Sequence, residues 1–203
     1  MINDGSIGLR RFQPGDVEEL TRATHESKSE VRQWMVWCRP DHGATDSLEF
    51  IHSCDEDWRS DRRYSFVIYH LAHGTFLGSI GLSGIDRAHR MASLGYWVRT
   101  SQTGRGVASR AVCLAAQFGF EQLNLNRVEM LIATGNRGSI RVAEKAGAHR
   151  EGVLRKRLVL AGKPADALIF SILPADLPRH ATAKEVRNSS PASTVKLACE
   201  VVS

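Results

Sequence analysis

Apolar positions along the chain alternate between two repeats, and that switching predicts the elements. Residues 7–12, 64–71, 75–85 and 91–98 are rich in β-branched and aromatic side chains and read as strands. Ala72-His73-Gly74 is a tight turn between the second and third of these, so they form an antiparallel meander. Residues 107–123 carry apolar side chains at helical spacing. Pro14-Gly15-Asp16 opens an earlier helix, with Asp16 and Glu19 in capping-box spacing, that runs with a break to about residue 37. Val31, Trp34, Met35 and Cys38 keep its period and are candidate core. After a loop holding Pro40 and Gly43, Asp46 and Glu49 suggest the cap of a second helix ending near residue 60. Residues 127–133 read as a strand. Asn136 then caps a helix with Ser139 three residues later, and Gly147 stops it. Residues 153–160 and 167–173 flank Gly162-Lys163-Pro164 as a hairpin.

The pattern fades after residue 177. Residues 178–203 are rich in Ala, Ser, Thr, Pro and Lys and are expected to form a poorly ordered tail, with a short docked element at 194–202 as the alternative. Residues 1–177 are long enough for one domain with a full core.

Composition narrows the function classes. The chain of 203 residues has a net charge of +5, of which the tail supplies +2 from four bases and two acids. The remaining charge is scattered except for Arg155-Lys156-Arg157, which reads as a solvated hairpin face, so nucleic acid is an unfavoured partner. No apolar run is long enough to predict a membrane span, and the N-terminal residues lack an apolar signal region. Cys38, Cys54, Cys113 and Cys199 lie far apart with no C-x-x-C, suggesting neither a zinc site nor a disulfide framework. A reducing cytoplasm is the expected location.

Residues 95–109, GYWVRTSQTGRGVAS, hold the chemistry. A strand, a glycine turn and a helix start follow in that order, which makes an anion cradle. Glycines let the backbone curl closely round a ligand, and the first free N–H groups of the helix then point at it. A phosphate-bearing ligand is expected. Neither a G-x-x-x-x-G-K-[ST] loop nor a third glycine for G-x-G-x-x-G is present, because Ser109 stands at that position. Arg105 adds a fixed positive charge suited to a diphosphate.

The order strand, Gly104-Arg105-Gly106, helix, strand, Asn136-x-x-Ser139, helix resembles the GNAT superfamily of acyl-CoA-dependent N-acetyltransferases, in its RimJ/RimL branch. The phrases Gly95-Tyr96-Trp97-Val98, Phe118-Gly119-Phe120-Glu121, Asn126-Arg127-Val128-Glu129, Glu144-Lys145-x-Gly147 and Glu151-Gly152 carry the likeness further, over roughly residues 8–177. It implies an α+β fold with a mainly antiparallel seven-stranded sheet, helices on both faces and a splayed strand pair holding acetyl-CoA. It implies cofactor contacts from Trp97, Val98, Thr103, Gly104, Arg105, Gly106, Val107, Ala108, Ser109, Asn136 and Ser139. Ser139 is placed near the thioester sulfur as a catalytic donor, and Trp34 and Trp37 in the acceptor groove. Asn136 and Ser139 equally suit a plain helix cap.

The implied partner is a primary amine, foremost the N-terminal amine of a protein or peptide. Such an amine has a pKa near ~7.7–8.0 and is partly neutral at pH 7, whereas a lysine near ~10.4 is almost wholly protonated. Small-molecule or antibiotic amines and a non-catalytic CoA-binding sensor remain open alternatives. A homodimer is compatible with this reading. The sequence departs from the family where acids serve as bases: Ser93 and Leu158 stand at two such positions, Thr103 replaces a Gln or Arg, and Ala148-His149 replaces Gly-Phe. No base is therefore assigned. Asp86 or a water chain is a candidate, and His42 and His89 are expected to be solvated loop residues. Cys113 has no adjacent histidine, so transfer is expected to be direct.

Overall fold

The computed structural model describes residues 2–177; the expected tail and the element at 194–202 lie outside the described residues. Strands β1 (Ile2–Asn3) and β2 (Ile7–Arg11) reverse around Gly5. Helices α1 (Val17–Glu26), α2 (Lys28–Arg32) and α3 (Ala44–Arg59) follow. Strands β3 (Arg63–His70), β4 (Phe76–Asp86) and β5 (Met91–Val98) form the predicted meander, turning at Gly74 with φ +66°. Helix α4 (Val107–Gln122), strand β6 (Arg127–Ala133), helix α5 (Arg137–Lys145) and the hairpin β7 (His149–Leu160) and β8 (Lys163–Ile172) complete the domain.

One sheet of eight strands, among the described residues, runs in the order β1-β2-β3-β4-β5-β6-β8-β7. All neighbours are antiparallel except β5 and β6. The count exceeds the expected seven by β1, whose two residues are too short to carry a sequence period. The α4 crossover makes β5 and β6 parallel, since parallel neighbours need a long connection.

Strand alternation gives each face its own core. Tyr64, Phe66, Ile80, Leu82, Leu94, Met130 and Phe170 point toward α4 and α5, where Ala111, Val112 and Ala115 meet them with no more than traces of exposure. Val67, Tyr69 and Trp97 point the other way and pack with Leu20 and Ala23 of α1, Val31 of α2 and Ile51 of α3. Gly78 lets β4 and β5 close up: a Cβ there would sit 2.2 Å from the Trp97 carbonyl oxygen.

Several expected boundaries move. The helix toward residue 37 stops at Arg32, and residues 33–43 run as turns and loop. Val31 and Cys38 are buried as core, while Trp37 stays 41% exposed. The capping box at Asp16 and Glu19 does not form. Asp16 instead accepts the Gln13 N–H at 2.8 Å and pairs with both terminal nitrogens of Arg10 at 2.7 Å. Asp46 is not the N-cap of α3 but its third residue, accepting the Gly43 N–H at 2.9 Å. The final hairpin is longer than expected and turns at Ala161-Gly162. Pro164 is tolerated in β8 because β6 pairs only with residues 167–172, leaving Pro164 without a ladder on that side. Arg155, Lys156 and Arg157 are exposed, as expected of a solvated hairpin.

Two phrases of the family likeness meet in an ion network. Arg127 donates to Glu129 at 2.7 Å and to Glu151 at 2.7 Å, and the Ser171 hydroxyl donates to Glu151 at 2.7 Å. The network ties β6, β7 and β8. Arg127 and Ser171 hold the Glu151 carboxyl down at about 2. Its folded value lies below that of an unfolded glutamate near ~4.3, so its stabilisation is present above that value and is lost as pH falls toward 2. Glu151→Gln is expected to lower the urea midpoint at pH 7 and to flatten its decline between about pH 4.5 and 2. An unchanged acid limb would show that this carboxylate does not drive it.

Candidate functional site

The parallel pair β5–β6 is joined only at Met91↔Arg127, Ala92↔Val128 and Ser93↔Glu129. Beyond that point the strands part. Residues 94–98 stay on the β4 ladder and residues 130–133 on the β8 ladder, but not on each other's. The backbone groups facing the gap therefore want a partner.

At the mouth of the gap, the chain leaves Val98, turns through residues 100–102 and starts α4. Gly104 and Gly106 both take φ +75°, a region where a Cβ is strained, and residues 103–106 are exposed. Gly106 is the N-cap of α4, with no side-chain cap and no acid in the first turn. The N–H groups of Val107, Ala108 and Ser109 thus lack intrahelical acceptors and face outward with the positive helix end. Val107 itself is buried in the core, so it can offer a ligand only its backbone. Ser109 Oγ bonds back to the Gly106 carbonyl at 3.1 Å, and Arg105 is exposed beside the turn.

The first turn of α5 borders the same gap. Asn136 Oδ1 accepts the Ser139 N–H at 3.0 Å, so the cap expected from the sequence forms and leaves the Asn136 amide NH2 for another partner. Tyr96 spans from β5 to this turn, its hydroxyl donating to the Ser139 carbonyl at 3.4 Å. Burial pushes the Tyr96 phenol up to about 12, so it stays a proton donor at neutral pH. The Trp34 ring rests against Gly135, where an added Cβ would meet it at 3.6 Å. Trp34 thus stands beside the α5 turn, apart from Trp37.

On the other face, α1, α3 and the loop before α3 roof a cleft of about 910 Å³ over β3, β4 and β5. Its cause is a floor of small residues. Ser65 lies opposite Gly81, Gly81 opposite Gly95, and Ser79 opposite Trp97, so nothing fills the space under α3. Trp37 and Trp97 close one end with ring centroids 5.8 Å apart. The charges on the wall are largely matched: Arg39 pairs with Asp46, and Arg63 pairs with Asp57 at 2.6 Å. Glu49 lines the cleft with no ion-pair partner among the described residues.

His42 is not the solvated loop residue its position suggested. It is buried on the cleft wall, its ring 5.7 Å from that of Trp37 and its Nε2 3.4 Å from Ser47 Oγ. Burial lowers its pKa and keeps the ring neutral. His89 is exposed and bound to Asp86, Nδ1 to Oδ2 at 2.9 Å. Asp86 also accepts the His89 N–H at 2.8 Å, so its carboxylate is spent on that turn and it does not line the cleft. Cys113 is half-buried, 3.7 Å from the Ala146 carbonyl, and burial raises its pKa, so it stays a thiol.

Sequence reasoning missed Tyr96, Glu49 and the cleft floor. The floor did leave a signal, since Ser79, Gly81 and Ser83 are small at alternate positions while Ile80 and Leu82 between them are large. Tyr96 and Glu49 left none, because only the fold says what faces them. No cluster of three metal-ligating side chains occurs among the described residues, and no described helix is long and apolar enough to cross a membrane.

A sheet that forks after three pairs, an uncapped helix start flanked by left-handed glycines at the mouth of the fork and a cleft over β3, β4 and β5 together make up the candidate site. The chain belongs to the acetyltransferase (GNAT) domain family, whose profile matches residues 6–149. It is 29% identical over 178 residues to a Bacillus subtilis protein named as a probable N-acetyltransferase, YjcK, covering 87% of this chain and 98% of that one. It is 30% identical over 171 residues to YdaF of the same organism, named as a candidate ribosomal N-acetyltransferase, covering 82% and 91%. Among solved structures, Mycobacterium smegmatis RimJ in complex with CoA-disulfide superposes with a TM-score of 0.79 at 27% identity, covering 85% of this chain and 84% of that one.

Proposed function

We propose that this acetyltransferase moves the acetyl group of acetyl-CoA to the N-terminal amine of a protein or peptide, by direct attack in a ternary complex. The observation that carries the reading is the fork. It leaves one strand edge open between a cradle for phosphates and a cleft for an acceptor. RimJ holding CoA-disulfide on a like fold and the ribosomal designation of YdaF support it.

The residues suit the ligand. The uncapped α4 N-terminus and the left-handed Gly104 and Gly106 receive a diphosphate on the amides of residues 104–109, with Thr103 and Arg105 beside it. The open edge of β5 at Trp97 and Val98 pairs with the peptide-like pantetheine arm as an added strand would, and the free NH2 of Asn136 faces that arm. When bound, acetyl-CoA supplies an activated acyl carbon and a thiolate leaving group. The backbone amide near Val98 offers a hydrogen bond to the carbonyl oxygen as it gains charge. The hydroxyl of Ser139 is the donor for the departing sulfur, and Tyr96, bonded to the Ser139 carbonyl, holds the turn that presents it. On the acceptor side, Trp37 and Trp97 hold the incoming amine against the fork, and Glu49 takes its surplus proton. Trp34 belongs to the α5 side of the groove.

Matched charges on the cleft wall favour a peptide over a polyamine or an aminoglycoside, since a polycation would need several free carboxylates and, among the described residues, Glu49 is the one unpaired acid lining the cleft. An acetyl-CoA turnover screen across peptides, polyamines and aminoglycosides tests this. Turnover confined to polyamines or aminoglycosides would overturn the acceptor class, and CoA binding without any turnover would indicate a sensor.

Three substitutions probe the site. Gly106→Glu puts a carboxylate where the diphosphate sits, so CoA binding should vanish in calorimetry; undiminished affinity refutes the cradle. Ser139→Ala should reduce kcat about tenfold while acetyl-CoA affinity changes less than about threefold, the size of one lost hydrogen bond made in the transition state. Unchanged kcat removes Ser139 from the mechanism. Glu49→Gln should cut kcat/KM by about 10²-fold, the lower end of what a positioned base supplies. Full activity would leave the proton to water.

A further inference from the structure

The joint between α1 and α2 is docked on the turn that precedes the cradle by charge-assisted contacts gathered around two buried residues, Arg99 and Ser27. Arg99, the residue after β5, is only 9% exposed. Its Nε donates to Glu26 Oε2 at 3.0 Å, and a terminal nitrogen bonds the same oxygen. Its other terminal nitrogen donates to the Phe76 carbonyl at 3.3 Å and lies 3.7 Å from Glu19. The second oxygen of Glu26 accepts the Ser101 N–H at 2.8 Å. Next door, Ser27, fully buried, accepts the Thr100 N–H on its hydroxyl at 3.0 Å, and Thr100 Oγ1 donates to Glu30 at 3.2 Å.

These contacts span α1 and α2 on one side and residues 99–101 on the other. Chain continuity carries each end to a different substrate. Thr103 and Gly104 follow the turn directly. Trp34 and Trp37 follow α2 directly, with the Trp34 N–H bonded to the Val31 carbonyl at 3.0 Å. From α1, Leu20 lines the cleft.

We propose that Glu26 and Ser27 are positioning residues that register the acceptor wall against the cofactor cradle, so that filling the cradle also orders residues 26–37. This rests on the reading that CoA occupies the cradle. A carboxylate clamp suits the task because it accepts from the Arg99 side chain and the Ser101 backbone at once, fixing a direction as well as a distance. Arg99 and Ser101 hold the Glu26 carboxyl down at about 2, so the clamp is charged throughout the physiological range. The turn before the two glycines closes on itself, Gln102 N–H donating to the Arg99 carbonyl at 2.9 Å and Thr103 Oγ1 to the Thr100 carbonyl at 2.9 Å, and the Glu26 and Ser27 contacts fix where that closed turn sits.

Glu26→Gln keeps the shape and removes the charge. On the full chain, CoA binding is followed by calorimetry and by hydrogen–deuterium exchange. In the unmodified protein, saturating CoA is expected to slow exchange over both 99–109 and 26–37. In Glu26→Gln the dissociation constant for CoA should rise about tenfold, with protection kept over 99–109 and lost over 26–37. A purely structural role would lower the melting temperature and leave that exchange pattern intact. Should Glu26→Gln not fold, Ser27→Ala carries the same test, with a smaller rise of about threefold. Unaltered affinity and exchange in the folded variant, or no effect of bound CoA on 26–37 in the unmodified chain, overturns the registration. Failure of the unmodified chain to bind CoA overturns instead the reading of the cradle.

Discussion

The fork between β5 and β6 is the constraint on which the rest of the structure depends. Backbone N–H and C=O groups inside a sheet are almost always paired, yet these two strands stop pairing after Ser93 and Glu129. The arms cannot close because each is committed elsewhere: β5 follows β4 as far as Gly78↔Val98, and β6 follows β8 as far as Ala133↔Ala167. Tyr96 reaches across to the first turn of α5. The facing edges of β5 and β6 therefore stay unpaired with each other beyond that point, and the crossover helix α4 starts at the mouth of the gap.

From that geometry the two sides of the site acquire different physics. The mouth is a matter of backbone and dipole, with exposed glycines and an uncapped helix end. The opposite face is a matter of volume. It is open because Ser65, Ser79, Gly81 and Gly95 are small where the same face further along β3 carries Val67 and Tyr69. Its walls are held by ion pairs that mostly cancel, so the cleft has shape and aromatic surface more than charge. The Glu26–Arg99 contact runs between these two regions and gives them a common frame.

Much of the fold was legible because it is local. The meander, the α4 start at Val107 and the α5 cap by Asn136 each rest on a period or on one residue's hydrogen-bonding chemistry. The errors fell where several residues could serve the same local role. Asp16 could cap a helix or meet an arginine, and Arg10, six residues earlier on β2, decides for the ion pair. Asp46 could open a capping box as the N-cap or close it as the third helical residue, and Gly43, standing at the N-cap, makes it the latter. The helical spacing of Val31, Trp34, Met35 and Cys38 matched a core stripe, and Val31 and Cys38 are core with Met35 packed on them, but the helix that was to carry them stops at Arg32 and Trp34 rests on Gly135 instead.

By itself the sequence determined the order of the elements from β2 onward and the glycine turn that opens α4, since each is settled within a few residues by steric and hydrogen-bonding rules. It also supplied the phrases that mark the family. Only the tertiary structure decided that β5 and β6 fork after three pairs, that Tyr96 meets Ser139, that His42 is buried, and that Glu49 lines a cleft floored by small residues. Those outcomes depend on which strands become neighbours, and no periodicity along one strand encodes what lies across from it.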